Sequence, residues 1–306
     1  MKRVHTTSGA LAAADFTLAL PHEHIFTETG DAPAYAYRTA EADDVLRVMQ
    51  PHLVAAKEKG VGLICEATPM GVGRRADIVA RVSRACGVPV ALATGFYREP
   101  WITEDACDAG IDALAAQLIG ELDDHIVNTD VRAGFIKLGT SDDAMQDTEE
   151  KLLRAACKAS RRTGALICSH TTNGLVANRI LDILVQEGVA PARFAWFHAS
   201  AERDYETLRR VGKRGSFLSI DYNPDTTLTL LLRLLEDGFA HRILLSMDSG
   251  WYNPRFENGG EVHGYTRMLD ELFPKLPPAG IDSMTLRIIT HDNVFEAYAR
   301  SEMTAI

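Results

Sequence analysis

Short apolar runs recur along the chain, and longer segments with a different periodicity separate them. Most runs stay almost continuously apolar until a polar residue ends them, which is typical of parallel strands buried on both faces. Eight runs of this kind begin near Phe16, Val61, Val88, Arg132, Gly164, Arg193, Gly215 and Arg242. The pattern therefore predicts eight parallel β-strands.

The segments between the runs carry apolar residues at intervals of three and four, as on one face of an amphipathic helix. Three of them, "DVLRVMQPHLVAAKEKG", "TEEKLLRAACKASRRTG" and "NGLVANRILDILVQEG", end at a glycine, which favours helix termination. Pro51 falls within the first segment and predicts a kink or a break there. We therefore expect helices to alternate with the strands.

Alternation of eight strands with helices predicts an α/β fold of the (β/α)8 TIM barrel type. A doubly wound open sheet is the alternative, but no G-x-G-x-x-G motif or P-loop follows any predicted strand. The chain has no linker, low-complexity tract or internal repeat, so residues 1–306 are expected to form a single domain.

Composition and charge narrow the classes of function. The 306 residues are 46% hydrophobic and 24% charged, as in an ordinary soluble globular protein. The net charge of -10 argues against a nucleic-acid partner or an anionic membrane surface, which need a basic face. The five cysteines are scattered and form no C-x-x-C pair, which indicates reduced thiols. No segment approaches the ~20 apolar residues of a membrane span, so we expect a cytoplasmic protein.

The first predicted strand, "LALPHEHIF", carries two histidines two residues apart after its apolar run. Residues i and i+2 of a strand point to the same face, so His22 and His24 are expected to face the barrel axis while Glu23 points away. The 10 histidines of the chain would give roughly 0.3 such pairs by chance, so the pair alone is a weak motif. Its significance depends on what else reaches the same end of the barrel.

Four further polar residues fall at the carboxyl ends of later predicted strands. The fourth, fifth, sixth and eighth strands end at Lys137, His170, His198 and Asp248, respectively. Each has an ordinary alternative explanation, such as a hydrogen-bonded core histidine or an aspartate that begins a helix. Because the carboxyl ends of the strands form the active-site mouth of such barrels, their convergence with the histidine pair predicts a clustered metal site.

The ligand types leave the metal open. Imidazole and carboxylate groups suit zinc, and also manganese, iron or cobalt. Lys137 differs from the other residues because an ammonium group repels cations. A neutral amine that captures CO2 would instead give a carbamate, whose two oxygens can bridge two metal ions.

This combination of residues resembles the phosphotriesterase-related family of the amidohydrolase superfamily, which includes phosphotriesterase-like lactonases. The shared motifs are "LPHEHIF", "ATPMGVGRRAD", "ATGFYREP", "GFIKLGT", "ICSHTT", "FHAS" and "ILLSMDSG". The resemblance implies a metal-dependent hydrolase with two divalent ions, and a homodimer.

The resemblance also assigns roles to the predicted ligands. The ligands of the buried metal would be His22, His24 and Asp248. His170 and His198 would hold the more exposed metal, and carboxylated Lys137 and a hydroxide would bridge the two ions. Attack by that hydroxide would make Asp248 the acceptor of the nucleophile's proton.

The chain departs from well-known members of that family at two strand ends. Many relatives carry an aspartate three residues after the sixth-strand histidine, where this chain has Ala201. Many carry histidine or arginine after the aspartate of the seventh strand, where this chain has Tyr222 after Asp221. The usual relay is therefore missing, which weakens both the phosphotriesterase route and identity with acyl-homoserine lactonases. Glu202 is a candidate substitute, with a carboxylate at a helix start as the alternative.

The residues expected to contact substrate lie after the third and eighth strands. Tyr97, in "TGFYREP", matches a tyrosine of the lactonase members, whereas organophosphate hydrolases tend to carry tryptophan; a rim aromatic packed on a loop is the alternative. The loop "SGWYNPRFENGGEVHG" offers Trp251, Tyr252 and Arg255. With Arg98, this set suits a compact ring bearing a carboxylate or phosphate, although either arginine could instead form a surface ion pair.

The leading hypothesis is thus a binuclear metal hydrolase that acts on a small-molecule lactone or related carboxylic ester. A phosphotriester or phosphodiester hydrolase is the first alternative. A non-catalytic member of the fold that binds a small molecule is the second.

Overall fold

The computed structural model describes residues 1–30 and 33–301. Its strands are β1 Lys2–Thr6, β2 Gly9–Leu11, β3 Leu18–Phe26, β4 Val61–Glu66, β5 Val90–Thr94, β6 Phe135–Gly139, β7 Ile167–His170, β8 Phe194–Phe197, β9 Phe217–Asp221, β10 Ile243–Ser246, β11 Gly250–Tyr252 and β12 Arg300–Ser301. Its α-helices are α1 Ala42–Glu58, α2 Ala76–Cys86, α3 Glu104–Asp108, α4 Ile111–Asp123, α5 Asp147–Thr163, α6 Gly174–Gln186, α7 Tyr205–Lys213, α8 Thr227–Glu236, α9 Arg267–Glu271, α10 Ser283–Arg287 and α11 Asn293–Tyr298. Within these two ranges, no helix is both long and apolar enough to cross a membrane.

Strands β3 to β10 form the barrel, and each strand pairs in parallel with the next along the chain. Every predicted apolar run corresponds to one of these eight strands, so the predicted (β/α)8 barrel is confirmed. A ninth parallel strand, β11, pairs with β3 and was not predicted. Helix α1 continues through Pro51, so the proline does not divide it.

The strands are apolar on both faces because each face packs against a different layer. One cluster lies between the sheet and the helices and includes Leu20 and Ile64. A second cluster contains the alternate residues of the same strands, such as Phe135 and Phe197, and fills the barrel interior. At the amino ends of the barrel strands, the segment after β1 contacts β5, where the backbone N–H of Thr7 donates to Val90 O at 2.9 Å. The packed interior leaves the carboxyl ends of the strands for polar side chains.

The barrel closes where β10 meets β3. The Asp248 backbone N–H donates to the carbonyl of His22 at 3.0 Å. Glu23 points away from the axis and is buried in this seam, where its carboxylate accepts from Ser246 Oγ and from the Ser249 N–H, each at 2.6 Å. Burial raises the pKa of Glu23 well above its usual value. The residue between the two histidines therefore fixes β3 to the segment that carries Asp248.

Candidate metal centre

A cavity of about 90 Å³ lies at the carboxyl ends of the barrel strands. Its lining includes the six predicted metal ligands and two of the predicted substrate contacts, namely His22, His24, Lys137, His170, His198, Asp248, Tyr97 and Trp251. Strands β3, β6 and β7 carry four of these residues, β11 carries Trp251, and the other three lie one to three residues after the ends of β5, β8 and β10. The fold therefore brings together side chains from widely separated parts of the sequence.

His22 and His24 point from β3 toward one carboxylate. Their Nε2 atoms lie 3.5 and 3.2 Å from Asp248 Oδ1, and both side chains are buried. Burial lowers the pKa of His22 to about 4, so its ring is neutral at pH 7 and keeps a lone pair for a metal. The alternation of side chains along a strand thus places both rings on one side.

His170 and His198 lie next to each other, with ring centroids 4.5 Å apart. Burial lowers the pKa of His170 to about 3. Burial also acts to lower the pKa of His198, but the neighbouring carboxylates of Asp221 and Asp248 outweigh it and raise that pKa. His198 is thus held against the same two carboxylates as His22, whereas the carboxylate beside His170 is that of Asp142, 3.9 Å from its Nε2.

The donor atoms of this site are consistent with bound cations. Three buried atoms, His22 Nε2, His170 Nε2 and Asp248 Oδ1, have no hydrogen-bond partner, although leaving buried polar groups unpaired is costly. One ligand atom each from His22, His198 and Asp248 lie within 4.8 Å of one another. Metal coordination would satisfy these atoms, and nitrogen and carboxylate donors are the types that zinc and similar ions take.

Lys137 is almost completely buried at the end of β6. Its Nζ donates to Leu138 O at 3.2 Å and lies 5.7 Å from the centre of the Tyr97 ring. Burial lowers the pKa of the Lys137 amine to about 8. The uncharged amine, which is the form that reacts with CO2, is therefore easier to reach near neutral pH than in an ordinary lysine.

Two glycines permit the close packing around these ligands. Gly95 has a φ of +121°, and a Cβ there would lie 2.0 Å from Lys137 O. Gly250 has a φ of +104°, and a Cβ there would lie 1.7 Å from His24 O. Both positions therefore require glycine for backbone conformation and for space.

Asp221, which was not among the predicted site residues, contacts two of the predicted ligands. Its Oδ1 lies 2.9 Å from His22 Nδ1, and its Oδ2 lies 2.8 Å from His198 Nδ1. Burial acts to raise its pKa, but the two imidazoles lower the pKa of Asp221 to about 2. Its position at the end of the seventh barrel strand, on the same rim as the predicted ligands, was the signal available in the sequence.

Tyr97 and Arg98 occupy different places relative to the cavity. The Tyr97 ring lines it, 5.5 Å from the His170 ring, and burial raises the Tyr97 pKa to about 12, so the phenol stays protonated at neutral pH. The Arg98 guanidinium lies over Tyr97 and Trp101 and 4.0 Å from the Asp142 carboxylate. Arg98 does not line the cavity, which matches the ion-pair alternative.

The three substrate contacts predicted after β10 also differ in whether they reach the cavity. Trp251 has a φ of +69°, lines the cavity and lies 4.9 Å from the His24 ring. Tyr252 follows it in β11, so its side chain points the other way and stacks on Phe26 at 5.9 Å in the core. The Arg255 guanidinium lies against Gly30, where a Cβ would collide with it. The structure therefore brings Trp251 to the cavity, and it does not bring Tyr252 or Arg255 there.

Glu202 and Tyr222 both make hydrogen bonds away from the cavity. Glu202 accepts hydrogen bonds from the N–H groups of Gly174 and Asp204, each at 2.8 Å. Tyr222 donates its hydroxyl to Glu271 at 2.8 Å. Glu202 therefore fits the helix-start alternative and does not line the cavity.

A second cavity, of about 400 Å³, adjoins the first and shares Asp248 and Trp251 with it. Its lining residues are Asp248, Trp251, Asn253, Phe256, Gly259, Glu261 and His263. None of them is lysine or arginine. Trp251 and Phe256 thus supply an aromatic wall for this second cavity, beside the cluster of imidazoles and carboxylates.

The chain is similar in sequence and in fold to known proteins. Residues 2–296 match the model of the Phosphotriesterase family. The chain is 27% identical over 292 residues to the phosphotriesterase homology protein of Escherichia coli, covering 91% of this chain and 96% of that protein. A triple mutant of the organophosphorus hydrolase from Deinococcus radiodurans superposes with a TM-score of 0.85 at 28% identity, covering 97% of each chain. A protein engineered for organophosphate hydrolysis from a weak promiscuous lactonase template gives a TM-score of 0.85 at 26% identity, covering 97% of this chain and 99% of that one.

Proposed function

The chain belongs to the Phosphotriesterase family, and from that premise we propose that it uses two divalent metal ions to hydrolyse a lactone or related carboxylic ester. The observation that carries the proposal is a cavity whose lining includes four histidines, a buried lysine and an aspartate. His22, His24 and Asp248 would hold the inner ion, and His170 and His198 the outer one. Lys137, as a carbamate, would bridge them. The homodimer and the cytoplasmic location stay predictions.

Bound at this site, divalent ions would polarise the substrate's carbonyl oxygen and lower the pKa of a water from about 15.7 to about 7. The remaining steps belong to the protein. The Asp248 carboxylate, which lines the cavity, would accept the proton of the attacking water. Tyr97 would remain protonated and donate a hydrogen bond to the substrate.

The choice of lactone over phosphotriester is supported by Tyr97 at the cavity wall and by the absence of the family's relay at Ala201 and Tyr222. The 400 Å³ cavity beside Trp251 would receive the substituent of the substrate. Among the described residues no lysine or arginine lines that cavity, whereas Glu261 does, so we expect a substituent without negative charge rather than the anionic one that Arg98 and Arg255 suggested.

The substrate class is tested by a hydrolysis panel with protein loaded with zinc, manganese or cobalt. We expect turnover of γ- or δ-lactones well above that of aryl dialkyl phosphotriesters and phosphodiesters, measured with a pH indicator. Turnover of the phosphorus esters alone would replace the proposal with the first alternative. A metal-loaded protein that hydrolyses none of the panel but binds a lactone would support the non-catalytic alternative.

Metal content gives a separate prediction. Protein expressed with ample metal should contain about two equivalents per chain by elemental analysis. Prolonged dialysis against a chelator should remove both the metal and the activity, and added metal should restore the activity. A content near zero in freshly purified, folded protein would contradict the binuclear site.

A further inference from the structure

One carboxylate joins the two groups of predicted ligands. Asp221, at the end of β9, contacts one histidine with each of its carboxylate oxygens. Its Oδ1 lies 2.9 Å from Nδ1 of His22, and its Oδ2 lies 2.8 Å from Nδ1 of His198. Its own backbone N–H donates to Ser200 Oγ at 3.1 Å. The two carboxylate oxygens are thus divided between two imidazoles, one on β3 and one directly after β8, and the hydrogen bond to Ser200 fixes the backbone that carries the carboxylate.

The chemistry of the carboxylate decides which nitrogen of each ring carries the hydrogen. An ionised carboxylate can only accept hydrogen bonds, so both histidines must donate from Nδ1. Each neutral ring then keeps its lone pair on Nε2. In His22 this Nε2 is buried and has no hydrogen-bond partner, which is the state of a nitrogen available for a metal.

We propose that Asp221 is a positioning residue that holds one ligand of each metal in the metal-binding tautomer. This inference rests on the proposed function, in which His22 belongs to the inner ion and His198 to the outer ion. A carboxylate that orients a ligand histidine is common around metal sites. Here a single carboxylate serves both ions, so both positions depend on one side chain.

The Asp221→Asn variant separates this role from simple packing because the size of the side chain is kept. The amide oxygen can accept from one Nδ1, but the amide nitrogen must donate to the other. The second histidine is then forced to place its hydrogen on Nε2, where the metal should bind. One of the two metal positions should therefore weaken while the other stays close to normal.

The test is a metal titration of chelator-treated protein with Co²⁺ or Zn²⁺, followed by competition with a chromophoric chelator and, for Co²⁺, by the visible spectrum. We expect two tight equivalents in the unmodified chain. In Asp221→Asn one equivalent should stay tight and the other should weaken by roughly 10–100-fold. In Asp221→Ala both equivalents should weaken, and in Asp221→Glu the carboxylate should recover part of the loss.

The matched control is Tyr222→Phe, one residue along the chain. Its hydroxyl contacts Glu271 and no predicted ligand, so both equivalents should stay tight. Folding of every variant is checked by circular dichroism. If folded Asp221→Asn binds both equivalents as tightly as the unmodified chain, the role of Asp221 is overturned while the proposed function stands. If the unmodified chain binds no metal, the proposed function fails, and this inference fails with it.

Discussion

Replacing Lys137 with alanine should reduce turnover on the order of 10³-fold or more, because the variant loses the group that would join the two ions, and metal activation supplies several kcal/mol. The reasoning starts from burial. Lys137 is almost inaccessible, and burial lowers its pKa to about 8. A charged amine at this place would oppose cations, whereas a carbamate would attract them and offer two oxygens.

The deletion leaves space that a small acid can occupy. Acetate or propionate added to Lys137→Ala should therefore restore part of both the activity and the metal content, since a carboxylate replaces the carbamate. Lys137→Arg is the matched control, because it keeps a positive charge, cannot form the carbamate and fills the space. It should be inactive and should not respond to the acids.

The carbamate itself has an independent measurement. Metal-depleted protein reconstituted in CO2-free buffer should regain activity slowly, and added bicarbonate should accelerate the recovery. Full activity of Lys137→Ala without any added acid would show that the reaction does not need Lys137. If bicarbonate does not change the rate of recovery, Lys137 acts in the site without forming a carbamate.

The barrel could be predicted from sequence because parallel strands buried on two faces leave a local signal. Each apolar run, such as the one that becomes β6, is readable without knowing its neighbours. The side to which His22 and His24 point is equally local, because it depends only on the alternation of side chains along a strand. These predictions needed no knowledge of contacts between distant segments.

The role of Asp221 could not be read in this way. Its two contacts reach His22 on β3 and His198 directly after β8, so they depend on how the barrel closes. The direction of the Tyr252 side chain depends on a distant contact as well. Its segment was predicted to be a loop, but residues Gly250–Tyr252 pair with β3, and the alternation within that short strand turns Tyr252 into the core while Trp251 faces the cavity.

Asp248→Asn should retain about two metal ions and lower kcat by roughly 10²–10⁴-fold, the usual range for losing a proton-transfer group. The carboxylate lies 3.2 Å from His24 Nε2 and its Oδ1 has no hydrogen-bond partner. The neighbouring imidazoles outweigh the effect of burial and hold the pKa of Asp248 well below its usual range, so the group is ionised and able to accept a proton. An amide of the same shape can still offer an oxygen to a metal, but it cannot take up the proton of water.

The measurements are kcat, KM and metal content on the same preparation. Loss of metal and loss of the proton acceptor both lower kcat, and only the metal content distinguishes them. Asp225→Asn makes the same chemical change at an exposed position in the loop after β9, and it should leave all three values unchanged. If Asp248→Asn loses both metals, the residue acts mainly as a ligand. If it keeps the metals and turns over at the normal rate, another group must accept the proton, and the lone pair on Asp248 Oδ1 would then serve coordination alone.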